Sequence, residues 1–400
     1  MTAAIDHAPD TRQEVRTLTV VSLVHLVSHY YWLALVPLLP SLTTLLGASY
    51  LELGLAITVM NAVSAATQAP IGFLVDRFGA RLLLITGVAL GASGFLLVAI
   101  VPAYPALIVG AVLIGLGNSV YHPADYSILS AEMSADRMGR AYSIHTFSGY
   151  LGFAVAPPLV LFFLWLGGTQ FALAAIAISG VLLALPLVPG LAAERTRTRA
   201  AKASSNTGTP ARAFLTMSVI ALTIMFTLVN LSTGMMQTYM VAAISNLLAL
   251  PQSVGAAALT IFFFALVAGV LGGGFVADRS SSQAFVALGG FGLAALFALA
   301  IPILLPGATL TLVLIAACGF CAGLIMPSRD LLVRKASPPD AVGRVFGIVT
   351  TGFNFGGMIS PLIGGALIDG RMPAWIFYGS AAFMALTVMI ALAVERKTVR

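Results

Sequence analysis

The chain has 400 residues, of which 59% are apolar and only 8% are charged, and its formal net charge is +6. Because about a quarter of the residues in a soluble domain are charged, this composition excludes a chain whose whole surface faces water. A membrane-spanning helix needs roughly 20 apolar residues, so the length suffices for twelve such helices with short loops and one linker.

Twelve apolar runs follow one another along the chain, and Gly, Pro or charged residues separate each run from the next. This pattern predicts twelve membrane-spanning helices. The first run is longer than the core of a secretion signal, so we expect it to be retained as a helix. In chain order the runs cover residues 18–39, 53–73, 82–101, 106–129, 142–166, 171–188, 214–244, 254–276, 285–305, 310–333, 345–368 and 375–394.

The cationic residues predict how these helices are oriented. If the runs cross a membrane alternately from a cytoplasmic start, all of the 20 Lys and Arg residues except Arg329 and Arg371 fall on the cytoplasmic side. This positive-inside pattern predicts that both termini are cytoplasmic, and it explains the basic excess without a nucleic-acid partner. The use of Arg in preference to Lys indicates a bacterial source. We therefore expect a multi-pass protein of the bacterial inner (plasma) membrane.

The chain divides into two similar halves. Residues 191–212 are rich in Arg, Ser, Thr and Ala, which predicts a flexible cytoplasmic linker. On its two sides the sequence repeats, because Gly72-Phe-Leu-Val-Asp-Arg recurs from Gly274 as Gly-Phe-Val-Ala-Asp-Arg, and Pro123 recurs as Pro327. Such a repeat predicts two bundles of the same design. The predicted segments are a cytoplasmic tail 1–16, a six-helix bundle 17–190, the linker 191–212, a second six-helix bundle 213–394 and a cytoplasmic tail 395–400.

Twelve helices in two sets of six, with Gly-x-Leu-x-Asp-Arg-x-Gly-x-Arg from Gly72 to Arg81, resemble the major facilitator superfamily. The resemblance implies an all-α membrane protein of two pseudo-symmetric six-helix bundles, with a conformational latch at this loop and at its second copy. The alternative is a loop that only sets the topology. Gly72 would let two helices approach closely, and Asp76 would lie against a helix N-terminus. The latch residues are Gly72, Asp76, Arg77, Gly79, Arg81, Asp278 and Arg279.

Shorter strings resemble the fosmidomycin-resistance branch of exporters in that superfamily. They are Leu-Val-His-Leu-Val-Ser-His, which ends at His29 in the first run, and Tyr-His-Pro at 121–123 in the fourth. Gly149-x-x-Gly152 in the fifth run resembles the antiporter motif of exporters, and close helix packing explains it equally well. Many proton antiporters of the superfamily carry a basic residue where this chain has Ala111. A standard antiport mechanism therefore does not follow from the resemblance.

Four histidines and the aspartate at position 125 fall inside the predicted spans, where ionisable groups are costly and mark functional sites. Two of the histidines lie four residues apart on one face of the first run, and the aspartate follows another histidine by three residues in the fourth run. Because histidine titrates near neutral pH, we interpret these residues as proton-coupling candidates. The alternative is that they are neutral, hydrogen-bonded packing residues. The candidates are His25, His29, His122, Asp125 and His145.

Opposite charges occupy corresponding positions of the fourth and tenth runs, since Asp125 and Arg329 are separated by the repeat distance. In the superfamily that this chain resembles, the cytoplasmic halves of these helices close together in the outward-facing state. We therefore predict that Asp125 and Arg329 form a gate pair in that state. The alternatives for Arg329 are an anchor for an anionic substrate and a local ion pair with Asp330.

Polar and aromatic side chains within the spans are suited to orienting a ligand, although helix–helix hydrogen bonding explains them equally well. The substrate-binding candidates are Tyr30, Trp32, Asn230, Gln237, Arg329 and Asn354. Cys318 and Cys321 lie in an apolar run, which favours packing over redox chemistry. The sequence contains no phosphate-loop motif, nucleophile–base set or metal-ligand spacing. We therefore expect no enzyme activity, no cofactor and no metal.

These observations favour a secondary active transporter that works by alternating access, with a small-molecule substrate, protons and the lipid bilayer as partners. Our preferred interpretation is a proton antiporter for efflux of a drug-like or metabolite compound, functional as a monomer. The second is proton-coupled uptake of a small organic anion, which Arg329 and the histidines of the first run would favour. A non-transporting membrane receptor is a remote third, since no run is long enough for an added sensing domain.

Overall fold

The computed structural model describes residues 11–134, 137–190, 216–336 and 342–398. Within these ranges all regular secondary structure is helical. The predicted linker 191–212 lies outside the described residues, as do residues 1–10 of the predicted amino-terminal tail.

The first half of the chain forms six helices and two short 3-10 segments. The helices are α1 Thr11–Ala34, α2 Leu39–Leu46, α3 Tyr50–Phe78, α4 Ala80–Ile100, α5 Tyr104–Glu132 and α6 Met138–Ala184. The 3-10 segment Val36–Leu38 joins α1 to α2 within the first predicted run, and Leu185–Gly190 follows α6. Pro37 and Pro40 lie at the starts of Val36–Leu38 and α2, where the missing backbone N–H of proline costs no helical hydrogen bond.

Helix α6 contains two of the predicted runs. Its backbone is non-helical at Gly167 and Gly168, and Gly168 has a φ of 75°, which favours glycine. The two arms of α6 therefore correspond to the predicted runs 142–166 and 171–188. The side chain of Gln170 donates a hydrogen bond of 2.9 Å to the carbonyl oxygen of Ala99, which ties the second arm to the end of α4.

In the second half each predicted run forms one helix. These helices are α7 Met217–Leu248, α8 Gln252–Arg279, α9 Gln283–Leu304, α10 Ala308–Ala336, α11 Val342–Asp369 and α12 Ala374–Thr398. Thr216 and Ser282 accept hydrogen bonds from backbone N–H groups at the starts of α7 and α9. Among the described residues eleven helical segments are long and apolar enough to cross a membrane, and the segment that contains Gly168 holds two runs. This count is consistent with the predicted twelve spans.

Small residues set the distance between neighbouring helices. A Cβ atom added to Gly94 of α4 would lie 2.6 Å from the carbonyl oxygen of Gly110 in α5, and one added to Gly110 would lie 2.8 Å from that of Gly94. The two backbones are therefore in direct contact. Such contacts stabilise helix pairs in lipid, where burial of apolar area provides no net attraction.

The chain divides by contacts into two compact units. The first comprises Met1–Ala34, Val63–Ala156 and Leu166–Ser204. The second comprises Leu35–Ala62, Pro157–Trp165 and Ser205–Arg400, so it contains the start of α3 together with α7 to α12. The predicted bundle boundaries, 17–190 and 213–394, follow covalent order and stay a prediction.

Candidate functional site

A single carboxylate oxygen joins three helices of the first unit. Asp125 of α5 is fully buried, and its Oδ2 lies 3.1 Å from Nδ1 of His25 in α1 and 3.0 Å from Nε2 of His145 in α6. The imidazole rings of His25 and His145 stack, with their centroids 3.7 Å apart. Both histidines are buried. Asp125 therefore accepts two hydrogen bonds at one oxygen, from two different helices.

The remaining two histidines complete a compact group. The ring centroid of His29 lies 4.5 Å from that of His25, and the ring centroid of His122 lies 5.3 Å from that of His25. The ring of Tyr126 stacks on His122. We call His25, His29, His122, Asp125 and His145 the His–Asp cluster. All five proton-coupling candidates of the sequence thus lie together, and the role assigned to them stays a proposal.

Sequence spacing and one glycine seam assemble this cluster. The four-residue separation of His25 and His29 places both rings on the face of α1 that meets α6. A Cβ atom on Gly149 would lie 2.7 Å from Nε2 of His25 and 2.8 Å from Cε1 of His29. Gly152 lies one turn further along α6, where an added Cβ would contact the carbonyl oxygen of Leu26. The Gly149-x-x-Gly152 seam therefore provides the space that the histidine rings occupy.

Two polar atoms of the cluster have no hydrogen-bond partner among the described residues. They are Oδ1 of Asp125 and Nδ1 of His122, and both are buried. A buried carboxylate is costly unless its charge is compensated by a counter-charge or a proton. The cluster thus has unused hydrogen-bonding capacity next to its one acidic group.

The same residues are the ones that a metal ion would use. His25, Asp125 and His145 place one ligand atom each within 4.8 Å of one another. A bound ion would have to replace both hydrogen bonds to Asp125, which are already formed at 3.0 and 3.1 Å. The geometry favours a hydrogen-bonded triad, and the expectation that the protein holds no metal stays a prediction.

Arg329 lies in an aromatic environment within the second unit. Its guanidinium carbon is 4.5 Å from the ring centroid of Phe226 in α7 and 4.8 Å from that of Phe353 in α11. Its Nε donates a hydrogen bond of 2.9 Å to Oδ1 of Asp330, so the local ion pair that the sequence left open is present. Only 9% of Arg329 is exposed. Asp125 and Arg329 each have partners in their own unit, and their pairing as a gate stays a prediction.

The other substrate-binding candidates fall in two places. In the first unit the hydroxyl of Tyr30 lies 3.2 Å from Oγ of Ser179 in the second arm of α6, and Trp32 is partly exposed. In the second unit the amide of Asn230 donates a hydrogen bond of 2.6 Å to the carbonyl oxygen of Phe353, beside the rings that hold Arg329. Gln237 and Asn354, which also belong to the second unit, are part-buried. Phe226 and Phe353 were missed as site residues, because a stacked arginine is not visible in the spacing of one helix.

The predicted latch is described only in part, since the side chains of Asp76 and Asp278 lie outside the described residues. Gly79 has a φ of 96° directly before α4, so this position requires glycine. Arg81 donates a hydrogen bond of 2.9 Å to Glu132 at the end of α5. Arg77 and Arg279 lie over the rings of neighbouring phenylalanines, Phe78 and Phe275.

No close helix approach at Gly72 is present among the described residues. A Cβ atom added to Gly72 would meet no atom within 4 Å among the described residues. The reason given for this glycine is therefore wrong for the described structure, because α3 presents this position to open space and not to a neighbouring helix.

Sequence analysis also missed a contact at the start of α3. The carboxylate of Asp369, at the end of α11, accepts hydrogen bonds of 3.0 and 2.7 Å from the backbone N–H groups of Tyr50 and Leu51. The hydroxyl of Tyr239 in α7 lies 2.7 Å from the carbonyl oxygen of Pro361 and 3.1 Å from that of Tyr50. These contacts hold the first turn of α3 against α7 and α11 within the second unit.

Ionisable side chains in the interior of a membrane-spanning helix bundle mark the path of an ion or a substrate. Such paths are characteristic of the secondary transporters. The chain matches the Major Facilitator Superfamily over residues 21–257 and 222–400, and it belongs to that superfamily. It is therefore a multi-pass membrane transporter of a small-molecule substrate, and it is not an enzyme.

Two bacterial relatives illustrate how the similarity is distributed. The fosmidomycin resistance protein of Escherichia coli (strain K12) is 27% identical over 142 residues, which are 36% of this chain and 35% of that protein. The uncharacterized MFS-type transporter YfnC of Bacillus subtilis (strain 168) is 27% identical over 393 residues, which cover 94% of this chain and 91% of that protein. The match thus spans about a third of the first relative and nearly all of the second.

Solved structures of two transporters have the same fold. A bacterial homologue of the human lysosomal transporter Spinster, in an inward-facing and unoccupied conformation, has a TM-score of 0.77 at 14% identity over 98% of both chains. The nucleoside transporter NupG has a TM-score of 0.77 at 15% identity, covering 96% of this chain and 99% of that one. At such low identities the likeness shows the fold alone, and it confirms the predicted all-α major facilitator architecture.

Proposed function

We propose that this transporter exports a drug-like or metabolite compound in exchange for protons, and that the His–Asp cluster carries the coupling proton. The observation that carries the proposal is the sharing of one buried oxygen, Oδ2 of Asp125, by His25 at 3.1 Å and His145 at 3.0 Å. The Escherichia coli relative is a fosmidomycin resistance protein, which supports export as the direction.

The charge of the cluster depends on one proton. When His25 and His145 are neutral and each donates an N–H to Asp125, the cluster carries one negative charge, and one added proton makes it neutral. A buried charge without a counter-charge costs several kcal/mol, so this proton changes the energy of the buried cluster considerably. An ion that binds two conformations unequally shifts the equilibrium between them.

The position of the cluster allows one proton to change the packing of several helices. Its members come from α1, α5 and the first arm of α6, so a change in the packing of these helices separates or joins the hydrogen-bonding partners of Asp125. The substrate and the proton then compete because they favour different packings. This is proton antiport by alternating access.

The gate pair extends the proposal to the second unit. We propose that Asp125 pairs with Arg329 in the outward-facing state, in place of its present histidine partners. Arg329 would then leave Asp330, whose side chain is 47% exposed and is a weak partner in water. Protonation of Asp125 removes the negative charge and so releases the pair.

A second candidate function is supported by the surroundings of Arg329. A buried guanidinium beside two aromatic rings keeps part of its donor capacity for an anion, which suits proton-coupled uptake of a small organic anion. The two functions differ in the direction of net transport. Inside-out vesicles accumulate the substrate if the protein exports it, and right-side-out vesicles accumulate it if the protein takes it up.

The coupling itself is tested with purified protein in proteoliposomes that contain a pH-sensitive dye. Addition of a transported compound is expected to move protons in the direction opposite to the compound, and liposomes without protein serve as the control. A compound that crosses through the protein with no proton movement contradicts the proposal. The screen includes neutral, cationic and anionic compounds, so it also identifies the class of substrate.

The setting of the transporter is part of the proposal. The positive-inside distribution of Lys and Arg supports a bacterial inner membrane with both termini in the cytoplasm. The His–Asp cluster is complete within one chain, which supports function as a monomer.

A further inference from the structure

A cavity of about 410 Å³ opens at the end of the first unit where α1 begins. Its walls come from the first turns of α1, the start of α4, the end of α5 and the 3-10 segment after α6. Three arginines line it, namely Arg12, Arg16 and Arg81, together with the carboxylate of Glu132. We call this cavity the arginine pocket. It lies apart from the His–Asp cluster and has no part in the proton exchange proposed above.

The arginine pocket has an excess of positive charge. Glu132 accepts hydrogen bonds of 2.9 Å from Arg81 and 2.7 Å from Thr17, so the only carboxylate among its described lining residues is engaged by Arg81. Arg12 and Arg16 lie four residues apart and therefore share a face of α1. Their charges favour an anion at the mouth of the pocket.

Part of the pocket lining is apolar. Its accessible part is formed by Val20 of α1 and by Pro186 and Pro189 of the segment after α6. A small inorganic anion gains nothing from this surface, because apolar surface offers it no hydrogen bonds. A molecule with a phosphate at one end and hydrocarbon at the other matches both parts of the lining.

The position along the chain also fits a lipid. The apolar run of α1 begins at Leu18, two residues after Arg16, so the arginines lie where a membrane-spanning helix leaves the hydrocarbon. Head groups of the cytoplasmic leaflet lie at this level, and basic pockets between spans on that side bind anionic lipid head groups.

We propose that the arginine pocket binds the phosphate of an acidic phospholipid, with Arg12 and Arg16 at the phosphate and the glycerol and acyl chains along Val20, Pro186 and Pro189. The bound lipid connects the start of α1 to the Arg81–Glu132 ion pair. The pocket is therefore a lipid site on the face of the transporter and not part of the substrate path.

The test measures binding of a fluorescent phosphatidylglycerol to the purified transporter in a neutral detergent. The variant Arg12→Gln/Arg16→Gln is expected to weaken binding about thirtyfold, since each arginine near an anionic surface contributes roughly 1 kcal/mol. The matched control is Arg334→Gln/Lys335→Gln, which removes two exposed cations from the end of α10 and is expected to leave binding unchanged. Equal weakening in both variants overturns the proposal, because it shows a non-specific charge effect.

Competitors separate the possible ligands. Unlabelled phosphatidylglycerol is expected to displace the probe, and phosphatidylcholine and millimolar inorganic phosphate are not. Displacement by inorganic phosphate alone assigns the pocket to a soluble anion, and equal displacement by phosphatidylcholine shows that charge is not recognised; either result overturns the proposal. Because Arg12 and Arg16 are exposed, we expect both variants to fold. Binding to the unmodified protein is also expected to weaken as salt is added, which keeps the proposal testable without any variant.

Discussion

The histidine rings of the His–Asp cluster have space only because the facing residue of α6 is a glycine. Gly149 of α6 faces His25 and His29, and a Cβ atom at this position would lie 2.7 and 2.8 Å from atoms of the two rings. Those distances are too short for a carbon atom in contact with a ring atom, so the rings or the helix must move. The proposed coupling between proton and substrate therefore depends on a residue that carries no ionisable group.

We predict that Gly149→Ala reduces the rate of proton-coupled transport by about tenfold, because the added Cβ displaces the histidine rings. A tenfold change in rate corresponds to roughly 1.4 kcal/mol in the activation free energy. Thermal unfolding in detergent is expected to shift downward as well, because overpacking a tight contact costs about 1–3 kcal/mol. The control is Gly289→Ala in α9, where an added Cβ meets no atom within 4 Å and a helix former replaces glycine. Unchanged transport by Gly149→Ala would show that the ring positions do not matter.

At the level of single residues the sequence predicted much of the site. The five members of the His–Asp cluster were recognisable, because an ionisable group inside an apolar run is rare and costly. The contacts between them were not recognisable, because the shared oxygen of Asp125 binds His25, which is 100 positions away, and His145, which is 20 positions away. The rings of Phe226 and Phe353 around Arg329 were hidden for the same reason, because phenylalanine in an apolar run carries no signal of its own.

Helix α3 begins with a cap supplied from a distant part of the chain, as does α9, where the carboxylate of Glu395 accepts hydrogen bonds from the backbone N–H groups of Gln283 and Ala284. The backbone N–H groups of Tyr50 and Leu51 have no partner within the helix, and the carboxylate of Asp369 accepts both. A negative charge is also favoured at a helix N-terminus by the helix dipole. Asp369 thus stabilises both the start of α3 and its contact with the end of α11.

We predict that Asp369→Ala lowers the stability of the transporter by about 1 kcal/mol, the usual cost of losing a side-chain cap. Asp369→Asn is the matched variant, because its amide oxygen still accepts one hydrogen bond, and it is expected to lose less. The measurement is thermal unfolding of the purified protein in one detergent. Equal stability of the two variants and the unmodified protein would show that the cap contributes nothing.

The break between the two arms of α6 was predictable, because glycine fixes the backbone there. Gly168 separates the two arms of α6 between the predicted runs 142–166 and 171–188, as its φ of 75° requires. The start of α3 has a local signal as well. Oγ of Ser49 accepts a hydrogen bond of 3.2 Å from the N–H of Glu52, whose carboxylate accepts one of 2.7 Å from the N–H of Ser49. The contact with Asp369 was not predictable, because that residue lies 319 positions beyond Tyr50. The composition of the sequence predicts the apolar middle of a helix better than it predicts the contacts at the ends of the helix.

On the scale of the whole molecule, the repeat between the two halves was visible in the sequence and predicted a two-bundle transporter. Membership of the Major Facilitator Superfamily and the two structural relatives confirm that architecture. The repeat could not show which conformation the chain adopts, because two states of one transporter share all of their sequence. The predicted gate pair depends on the conformational state, because its contact is expected to form in only one of the two states.

The gate pair makes a prediction for two exchanged charges. We expect Asp125→Arg and Arg329→Asp each to abolish transport, because each leaves two like charges at the proposed gate. The double variant is expected to recover part of the transport, at least several-fold above either single variant, although proton coupling stays lost. Recovery is measured as substrate flux in proteoliposomes at equal amounts of inserted protein. A double variant no more active than the single ones would contradict the gate.

The central claim is that Asp125 and its two histidines carry the coupling proton, and Asp125→Asn tests it most directly. Asparagine keeps the size of the side chain and removes its charge. The measurement compares, in the same proteoliposomes, substrate exchange without a pH gradient and uphill transport driven by one. Exposed Glu52, changed to Gln, serves as the control. The account predicts that Asp125→Asn retains exchange and loses uphill transport and proton movement, whereas Glu52→Gln retains all three. Uphill transport at the normal level by Asp125→Asn would contradict it.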